Sequence, residues 1–413
     1  MIPRLRRLFM WLYPGIGIKR WIGLCAFGVI LLIIGSGGFP SGEFFIIKIF
    51  DSVILVSGVV ILILGIKRLL SSLINAFIPA TKHNDLVDIL FQRKQLSRGP
   101  KIVTVGGGTG LSMLLSGLKE YSSNITAIVT VADDGGSSGR IRKQFDILPP
   151  GDIRNCLVAL ADASTMMRDL FQFRFEEGSE LAGHNFGNLF ITVMTRLTGD
   201  FEKAVLETSK VLALRGRVIP STLENVVLAA QHQDGTITEG EYNIPQAHKA
   251  IKKVYLNPLN PPAAPEVVKA IKSADIIVLG PGSLFTSIIP NLLIKEIADS
   301  VVSSRAIKVY VCNVMTQPGE TDGFTASMHV KKLVEHSHPR IIDYCFVNNG
   351  KIPIEIQKRY ENDQAYLVVN DKKSIHNMGY RVIEEDTISV NSGLVRHDTA
   401  KLSKLILSLL EEY

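Results

Sequence analysis

Two stretches place glycines and small hydroxyl residues directly after an apolar run: Gly106-Gly107-Gly108-Thr109-Gly110 and Gly280-Pro281-Gly282-Ser283. Glycines at such a junction let free backbone amides approach an anion, and the following helix N-terminus favours negative charge. The first stretch follows Ile102-Val103-Thr104-Val105 and precedes Leu111, Leu114, Leu115 and Leu118 at helical spacing. Gly106 and Gly108 fit the first two glycines of a dinucleotide fingerprint, but Leu111 stands where the third belongs. A second β-branched run, Ile125–Val131, ends in Asp133 and Asp134, where an acid can reach a ribose hydroxyl. Each junction can also be a plain βα turn; two of them in one sheet favour a shared crevice.

Further groups able to do chemistry lie in loops. Asp133 and Asp134 lead into Gly135-Gly136-Ser137-Ser138-Gly139-Arg140, which combines acids, small residues and one guanidinium. Those acids suit a ribose or, together with Asp152, a Mg2+ ion sharing phosphate oxygens; a mobile acidic loop is the alternative. Pro149-Pro150-Gly151-Asp152-Ile153-Arg154-Asn155 stops one segment and starts a helix over Ile153–Leu160, with Asp152 able to cap it. His184, Asn185 and Asn188 flank Gly187 at another helix start, offering amide recognition and an acid, base or phosphate donor, unless the histidine is structural. Asn313, Thr316, Gln317 and Glu320 follow a strand end. Arg396-His397-Asp398-Thr399 precedes the last helix, where Asp398 or Thr399 serves as N-cap. Tyr360 can stack on a base or simply pack. The sequence contains no G-x-x-x-x-G-K-[ST], no G-x-S-x-G and no H-E-x-x-H, which argues against a P-loop NTPase, an α/β-hydrolase and a zincin.

The elements that must position these groups alternate. Helices are expected at Leu189–Leu197, Asp200–Leu214, Glu266–Ser273, Ile288–Val302, His329–His336 and Asp398–Leu410. Strands are expected at Lys253–Leu256, Ile276–Leu279, Lys308–Cys312 and Ile341–Val347, with a hairpin over Val226–Ala230 and Thr236–Tyr242. This pattern predicts an α/β fold, a Rossmann-like, doubly wound and mainly parallel sheet over residues 101–413, with ligands gathered at the C-terminal loops of the strands.

Charge separates the rest of the chain. Residues 1–101 carry 13 Lys/Arg against 4 Asp/Glu, whereas the remaining residues carry 32 against 35. The soluble part therefore has no nucleic-acid-like excess of cations. Trp21–Gly38 is apolar and uncharged, and Phe44–Ile66 is apolar after Lys48 and Asp51. Together they predict a two-helix transmembrane hairpin within residues 1–68, turning near Gly35–Gly42. Arg4, Arg6, Arg7, Lys19 and Arg20 precede it and Lys67 and Arg68 follow, which places both ends in the cytoplasm. A buried core hairpin is the alternative. Residues 69–100 read as a partly helical linker. Cys25, Cys156, Cys312 and Cys345 form no C-x-x-C pair and read as reduced thiols without a zinc site.

Seven loops in one order carry a resemblance: GGGTGLS (Gly106–Ser112), ADDGGSSGR (Ala132–Arg140), PPGDIRN (Pro149–Asn155), GHNFGN (Gly183–Asn188), GPGSLFTSIIPNLL (Gly280–Leu293), CNVMTQPGET (Cys312–Thr321) and RHDT (Arg396–Thr399). Over about residues 100–413 the chain resembles the bacterial gluconeogenesis factor family, the YvcK-like proteins, relatives of the phospholactate transferase CofD. The resemblance implies a Rossmann-like domain that binds UDP-sugars, UDP-N-acetylglucosamine in particular. It also implies a regulator of gluconeogenic growth, cell shape and peptidoglycan synthesis rather than an enzyme, with no required cofactor and Mg2+ as the one ion in question. Tyr360 and Arg396 fall at nucleotide-associated positions and Thr399 at a phosphoacceptor position. A Ser/Thr kinase, cell-wall synthesis enzymes and a homodimeric state are the implied partners. The N-terminal hairpin departs from the typical pattern and points to the cytoplasmic membrane. The alternative is a CofD-like transferase using a nucleotide-activated phospholactate donor and Mg2+.

Overall fold

The structure is a computed structural model that describes residues 18–36, 45–77, 93–176, 178, 180–391 and 393–411. The chain divides into two units, Met1–Gln92 and Arg93–Tyr413.

In the first unit, helices α1 (Ile18–Gly35) and α2 (Phe45–Phe77) are apolar along most of their length. They run antiparallel and approach through glycines. A Cβ at Gly28 would lie 2.9 Å from Leu62 N, one at Gly35 2.6 Å from Leu55 N, and one at Gly65 2.7 Å from Cys25 Sγ. Small residues at the seam let two helix backbones close on each other, the usual device between apolar helices. Ile49–Ser72, of mean hydropathy 2.6, is long and apolar enough to cross a membrane, whereas Arg20–Gly35 is a shorter apolar helix. The expectation of two spans is thus supported for one helix, and a multi-pass arrangement is not. Arg4, Arg6, Arg7 and most of the expected turn lie outside the described residues.

The second unit starts with β1 (Ile102–Gly106), α3 (Gly108–Leu118) and β2 (Ile125–Val129). Five helices follow: α4 (Gly136–Phe145), α5 (Gly151–Leu160), α6 (Thr165–Gln172), α7 (Phe186–Thr198) and α8 (Phe201–Val211). After β3 (Arg217–Pro220) come β4 (Val227–His232), β5 (Ile237–Glu239) and β6 (Ile251–Asn257), a separate antiparallel sheet in the order β5-β4-β6. The chain then returns through α9 (Pro265–Lys272), β7 (Ile276–Leu279), α10 (Lys295–Ser303), β8 (Ile307–Val311), α11 (Ala326–Glu335) and β9 (Tyr344–Asn348). It ends with α12 (Ile354–Asn362), α13 (Lys372–Asn377), β10 (Arg381–Glu385), the antiparallel hairpin β11 (Ile388–Asn391)–β12 (Leu394–His397) and α14 (Thr399–Ser408).

Among the described residues seven strands form one parallel sheet in the order β10-β9-β8-β7-β1-β2-β3. β1, β2, β7, β8 and β9 are buried along their whole length, as continuous apolar runs must be when helices cover both faces. The strand order reverses between β1 and β7. Ile102 lies level with Ile276 and Val105 with Leu279, so the two strands end side by side and their glycine turns meet. That reversal is where an open α/β sheet leaves a crevice.

Several expected elements differ in detail. Ile288–Val302 is not one helix: Leu284–Ile288 makes a π turn, Ile289–Leu292 a single α turn, and α10 begins only at Lys295. Pro290 lies at the start of that single turn, where a missing amide costs nothing, and Ile294 takes extended backbone as the N-cap of α10, which separates the two. Asp152 does not cap α5, because Pro150 is the N-cap and Asp152 stands inside the first turn. Asp200, Asn185 and Asp398 do cap, accepting from Lys203 N, from Asn188 N, and from Ala400 and Lys401 N. The four cysteines are free thiols.

Candidate functional site

The crevice between β1 and β7 is a cleft of about 300 Å3. Its floor is the pair of glycine turns. Gly108 has φ +67° and Gly280 φ +81°, values that exact glycine. A Cβ at Gly110 would lie 2.7 Å from Pro281 O, and one at Gly282 3.2 Å from Gly107 O, so each turn seats the other. Asn291 Nδ2 donates to Gly106 O (3.2 Å) and Ser287 O (2.8 Å), fixing the end of β1 from below. A short polar chain closes one wall: Gly282 N donates to Asn313 Oδ1 (3.3 Å), Asn313 Nδ2 to Gln317 Oε1 (3.2 Å), and Gln317 Nε2 to Ser283 Oγ (2.6 Å).

The opposite wall comes from the C-terminal hairpin. Arg396 stands on β12, and its Nη1 donates to Met113 Sδ at 3.3 Å, a weak acceptor. No carboxylate among the described residues pairs with it. His397 anchors the same strand from beneath: Nε2 is 3.1 Å from Cys312 O and Nδ1 3.2 Å from Thr387 Oγ1. Burial lowers its pKa to about 4, so the ring is neutral, with one nitrogen donating to the carbonyl and the other accepting from the hydroxyl. Tyr360 does not line the cleft. Its hydroxyl accepts from Val395 N (2.9 Å) and its ring packs against Val314, Ile352 and Val395, so it holds the hairpin that carries Arg396. Thr399 opens α14 and borders the cleft.

A second group of sequence-selected residues gathers beside the first. Asp133 accepts from Gly135 N (3.0 Å) and from the Ser138 hydroxyl, while Asp134 accepts from Tyr242 N (2.8 Å). Asp152 accepts from Gly108 N, which ties this group to the glycine turn. Burial raises Asp152 to about 7 with Asp133 adding to it, and burial raises Asp133 as well. Glu241, which sequence reasoning missed, is pushed to about 8 by burial and by Asp133 and Asp152. Glu320 is pushed to about 7 by burial and is partly relieved by the Thr286 hydroxyl, 3.2 Å from Oε1. Nothing in Glu239-Gly240-Glu241 signals this role, because the short β5 is what brings Glu241 across. Among the described residues no three His, Cys, Asp or Glu side chains are arranged to hold a metal ion.

The remaining residues divide plainly. His184 Nδ1 and Asn188 Nδ2 both lie 3.2 Å from Ser137 Oγ, and Asn185 Nδ2 donates to Gln172 O (2.9 Å). The three therefore brace the start of α4 and α7 rather than the cleft, although Asn188 Oδ1 is buried without a partner. Burial and then Arg140 lower the pKa of His184. Arg140 Nη2 donates to Ala182 O (3.0 Å), and Asn155 faces a separate groove beside α3. The apolar lining of the cleft by Met113, Leu114, Val314 and Met315 carried no chemical signal in the sequence.

Comparison with known proteins accords with this geometry. Residues 102–388 match the model of the 2-phospho-L-lactate transferase CofD family. The Bacillus subtilis protein named gluconeogenesis factor is 49% identical over 317 residues, spanning 77% of this chain and 100% of its own. A Nostoc relative whose name includes gluconeogenesis factor is 45% identical over 98% of this chain and 93% of its own length, so its match extends over the N-terminal helices. A crystal structure of a Bacillus halodurans protein is 46% identical, with a TM-score of 0.74 over 75% of this chain and 100% of that one. By these matches and by the loops that build its cleft, the chain belongs to the bacterial gluconeogenesis factor family, related to CofD.

Proposed function

We propose that this protein is a UDP-sugar-binding regulator, with UDP-N-acetylglucosamine as its nucleotide sugar, that couples gluconeogenic carbon supply to cell shape and envelope synthesis. The observation that carries this reading is an Arg396 guanidinium without a carboxylate partner among the described residues, standing over two facing glycine turns at the switch point of the sheet. Free amides and an uncommitted cation suit a diphosphate. Gly106, Gly107, Gly108, Thr109, Gly110, Gly280, Gly282 and Ser283 would cradle it, Asn313 and Gln317 would hold the adjoining groups, and Asp133 or Asp134 would reach the ribose. The names of the relatives support the gluconeogenic role. The N-terminal helices would hold the domain at the cytoplasmic face of the membrane as a two-span hairpin, beside wall-synthesis enzymes. Thr399 would accept phosphate from a Ser/Thr kinase, and a phosphate there would repel a diphosphate in the cleft. A homodimer is the proposed assembly.

The test is calorimetry on the purified full chain with UDP-N-acetylglucosamine, UDP-glucose, GDP and NAD, each with and without Mg2+. Saturable binding confined to UDP-sugars, with the ligand recovered intact, is the expected result. Binding of GDP alone would reject it. The match to the transferase family favours a second reading, a CofD-like transferase; Asp133, Asp134 and Asp152 are not arranged to hold a metal by themselves, so a Mg2+ there would have to share any one of these carboxylates with the phosphate oxygens of the donor. Transfer from a nucleotide-activated phospholactate donor to a deazaflavin alcohol would establish that reading instead.

A further inference from the structure

On the other side of α3 from the glycine cleft lies a second hollow, of about 620 Å3. α3 supplies Ser112 and Ser116 and its C-cap Lys119, α5 supplies Arg154 and Asn155, and α6 supplies Thr165, Arg168 and Asp169. Thr109, Met113 and Arg396 line both hollows, so Arg396 stands at their boundary.

Its charge is one-sided. Lys119, Arg154, Arg168 and Arg396 line it against the single acid Asp169, and no carboxylate among the described residues forms an ion pair with any of the four cations. The Arg154 side chain makes no hydrogen bond among the described residues, and its Nε is buried without a partner. Its stem is pinned, because a Cβ at Gly187 would lie 2.8 Å from Arg154 Cδ. Arg168 Nε is likewise buried and unpartnered, and its Nη2 reaches Thr165 Oγ1 only at 3.4 Å. Lys119 Nζ donates to one carbonyl, Ala161 O, at 2.9 Å. Burial lowers Arg154 to about 10, with Arg174 beyond the hollow lowering it and Asp152 and Asp133 raising it, and burial lowers Lys119, with Arg168 and Arg215 lowering it and Glu120 and Asp162 raising it. Like charges held together in partly desolvated positions destabilise the fold unless an anion answers them.

We propose that this hollow is a second ligand site, for a small phosphorylated metabolite, sharing Arg396 with the glycine cleft. Guanidinium forks match phosphate oxygens two at a time, and Arg154 and Arg168 supply two of them, with Lys119 as a point charge. The volume exceeds that of a bare phosphate ion and leaves room for a sugar-sized body against Ser116, Asn155 and Thr165. Because Arg396 faces both hollows, the two ligands share one cation, and any weakening of one by the other is reciprocal.

The probes are inorganic phosphate and a hexose 6-phosphate, titrated calorimetrically into the purified full chain with and without saturating UDP-N-acetylglucosamine. Stoichiometric binding of the hexose phosphate, tighter than that of phosphate and retained when the nucleotide sugar is present, is expected. Arg168→Gln, which keeps the side-chain bulk, and Lys119→Ala should each weaken it about tenfold or more while leaving UDP-N-acetylglucosamine affinity within about twofold of the parent and, without ligand, the melting temperature no lower than the parent's. Absence of binding, unchanged binding in both variants, or abolition by UDP-N-acetylglucosamine would each overturn the proposal, the last because it places phosphate in the glycine cleft. This inference stands apart from the UDP-sugar reading: were the nucleotide sugar not to bind at all, the Arg168→Gln and Lys119→Ala titrations would still decide it.

Discussion

Arg396 is held by very little, and that is why its removal is informative. Its one hydrogen bond goes to a thioether sulfur, so Arg396→Ala breaks no ion pair and leaves no buried charge behind. The variant should melt with the parent and bind UDP-N-acetylglucosamine roughly ten- to a hundredfold more weakly by calorimetry, the range of one or two lost charge-assisted hydrogen bonds. Tyr360 acts through it. Tyr360→Phe keeps the ring in the cluster of Val314, Ile352 and Val395 but leaves Val395 N without its acceptor. A severalfold loss of affinity with a melting temperature close to the parent's identifies a positioning residue, whereas an unchanged affinity would show that packing alone sets the hairpin. The buried carboxylates act on stability instead. Asp152 and Glu320 near 7 and Glu241 near 8 stay protonated in the folded protein at pH values where the unfolded chain has already released those protons. At those groups the unfolded state then binds fewer protons, which withdraws stability as pH rises; His184, His329, His336 and His397, lowered by burial, act in the opposite sense up to about pH 6.5, so the net decline falls between about pH 6.5 and 8. Thermal melts from pH 5 to 9 should show this decline, and Glu241→Gln should flatten it and raise the melting temperature at pH 8. The glycine junctions were legible because a tight turn between strand and helix needs them, whereas Arg396 was marked by the family resemblance and not by its own spacing. Glu241 was not legible, since its importance comes from what lies across the fold from it.

At the level of elements, the βαβ unit and the β7 junction were readable because each pairs a continuous apolar run, as a strand buried on both faces requires, with a glycine-rich turn directly after it. The facing of the two turns follows from the register of β1 with β7, which no local pattern encodes. The same limit explains the elements that went unread. α4 begins Gly-Ser-Ser-Gly and has little apolar content, yet it forms because Ile141 is buried and Ser137 is engaged by His184 and Asn188. α12 has no fully buried residue, and Ile356 and Tyr360 on one side of it pack on the small cluster under the hairpin. The contact between the turns can be tested directly. Gly110→Ala puts a methyl group 2.7 Å from Pro281 O, backbone against backbone, where no flexible side chain can yield. It should cost roughly 1–3 kcal/mol in chemical denaturation and abolish measurable UDP-sugar binding. Gly136→Ala is the comparison at an equally glycine-rich turn: a Cβ there meets nothing within 4 Å, although its φ of +45° is strained, so binding should survive.

For the molecule as a whole, the question is which side of a membrane each end occupies. One span, Ile49–Ser72, would put the residues before it on the opposite face from the domain. Two spans would return both ends to one side. Length alone favours the first, since Arg20–Gly35 is short for a 30 Å hydrocarbon core. Charge and packing are the grounds on which the second is proposed. Arg4, Arg6, Arg7, Lys19 and Arg20 precede the first helix and Lys67 and Arg68 stand late in the second, while Ser36–Phe44 carries no cation. The glycine seam at Gly28, Gly35 and Gly65 brings α1 and α2 together as antiparallel neighbours, which a lone span has no need of. The hairpin therefore predicts that a fluorescent reporter fused before Met1 glows in the cytoplasm and that an alkaline phosphatase fused there is inactive, with the full chain in the membrane fraction and resistant to carbonate extraction. An active phosphatase at the N-terminus would establish the single span. Gly28→Leu and Gly58→Leu separate the two cases further, because Cβ atoms at these positions would lie 2.9 Å from Leu62 N and Leu32 N. Forcing the helices apart should expose the first to proteolysis or misinsertion if the pair inserts together, and should leave localisation unchanged if Ile49–Ser72 anchors the protein alone.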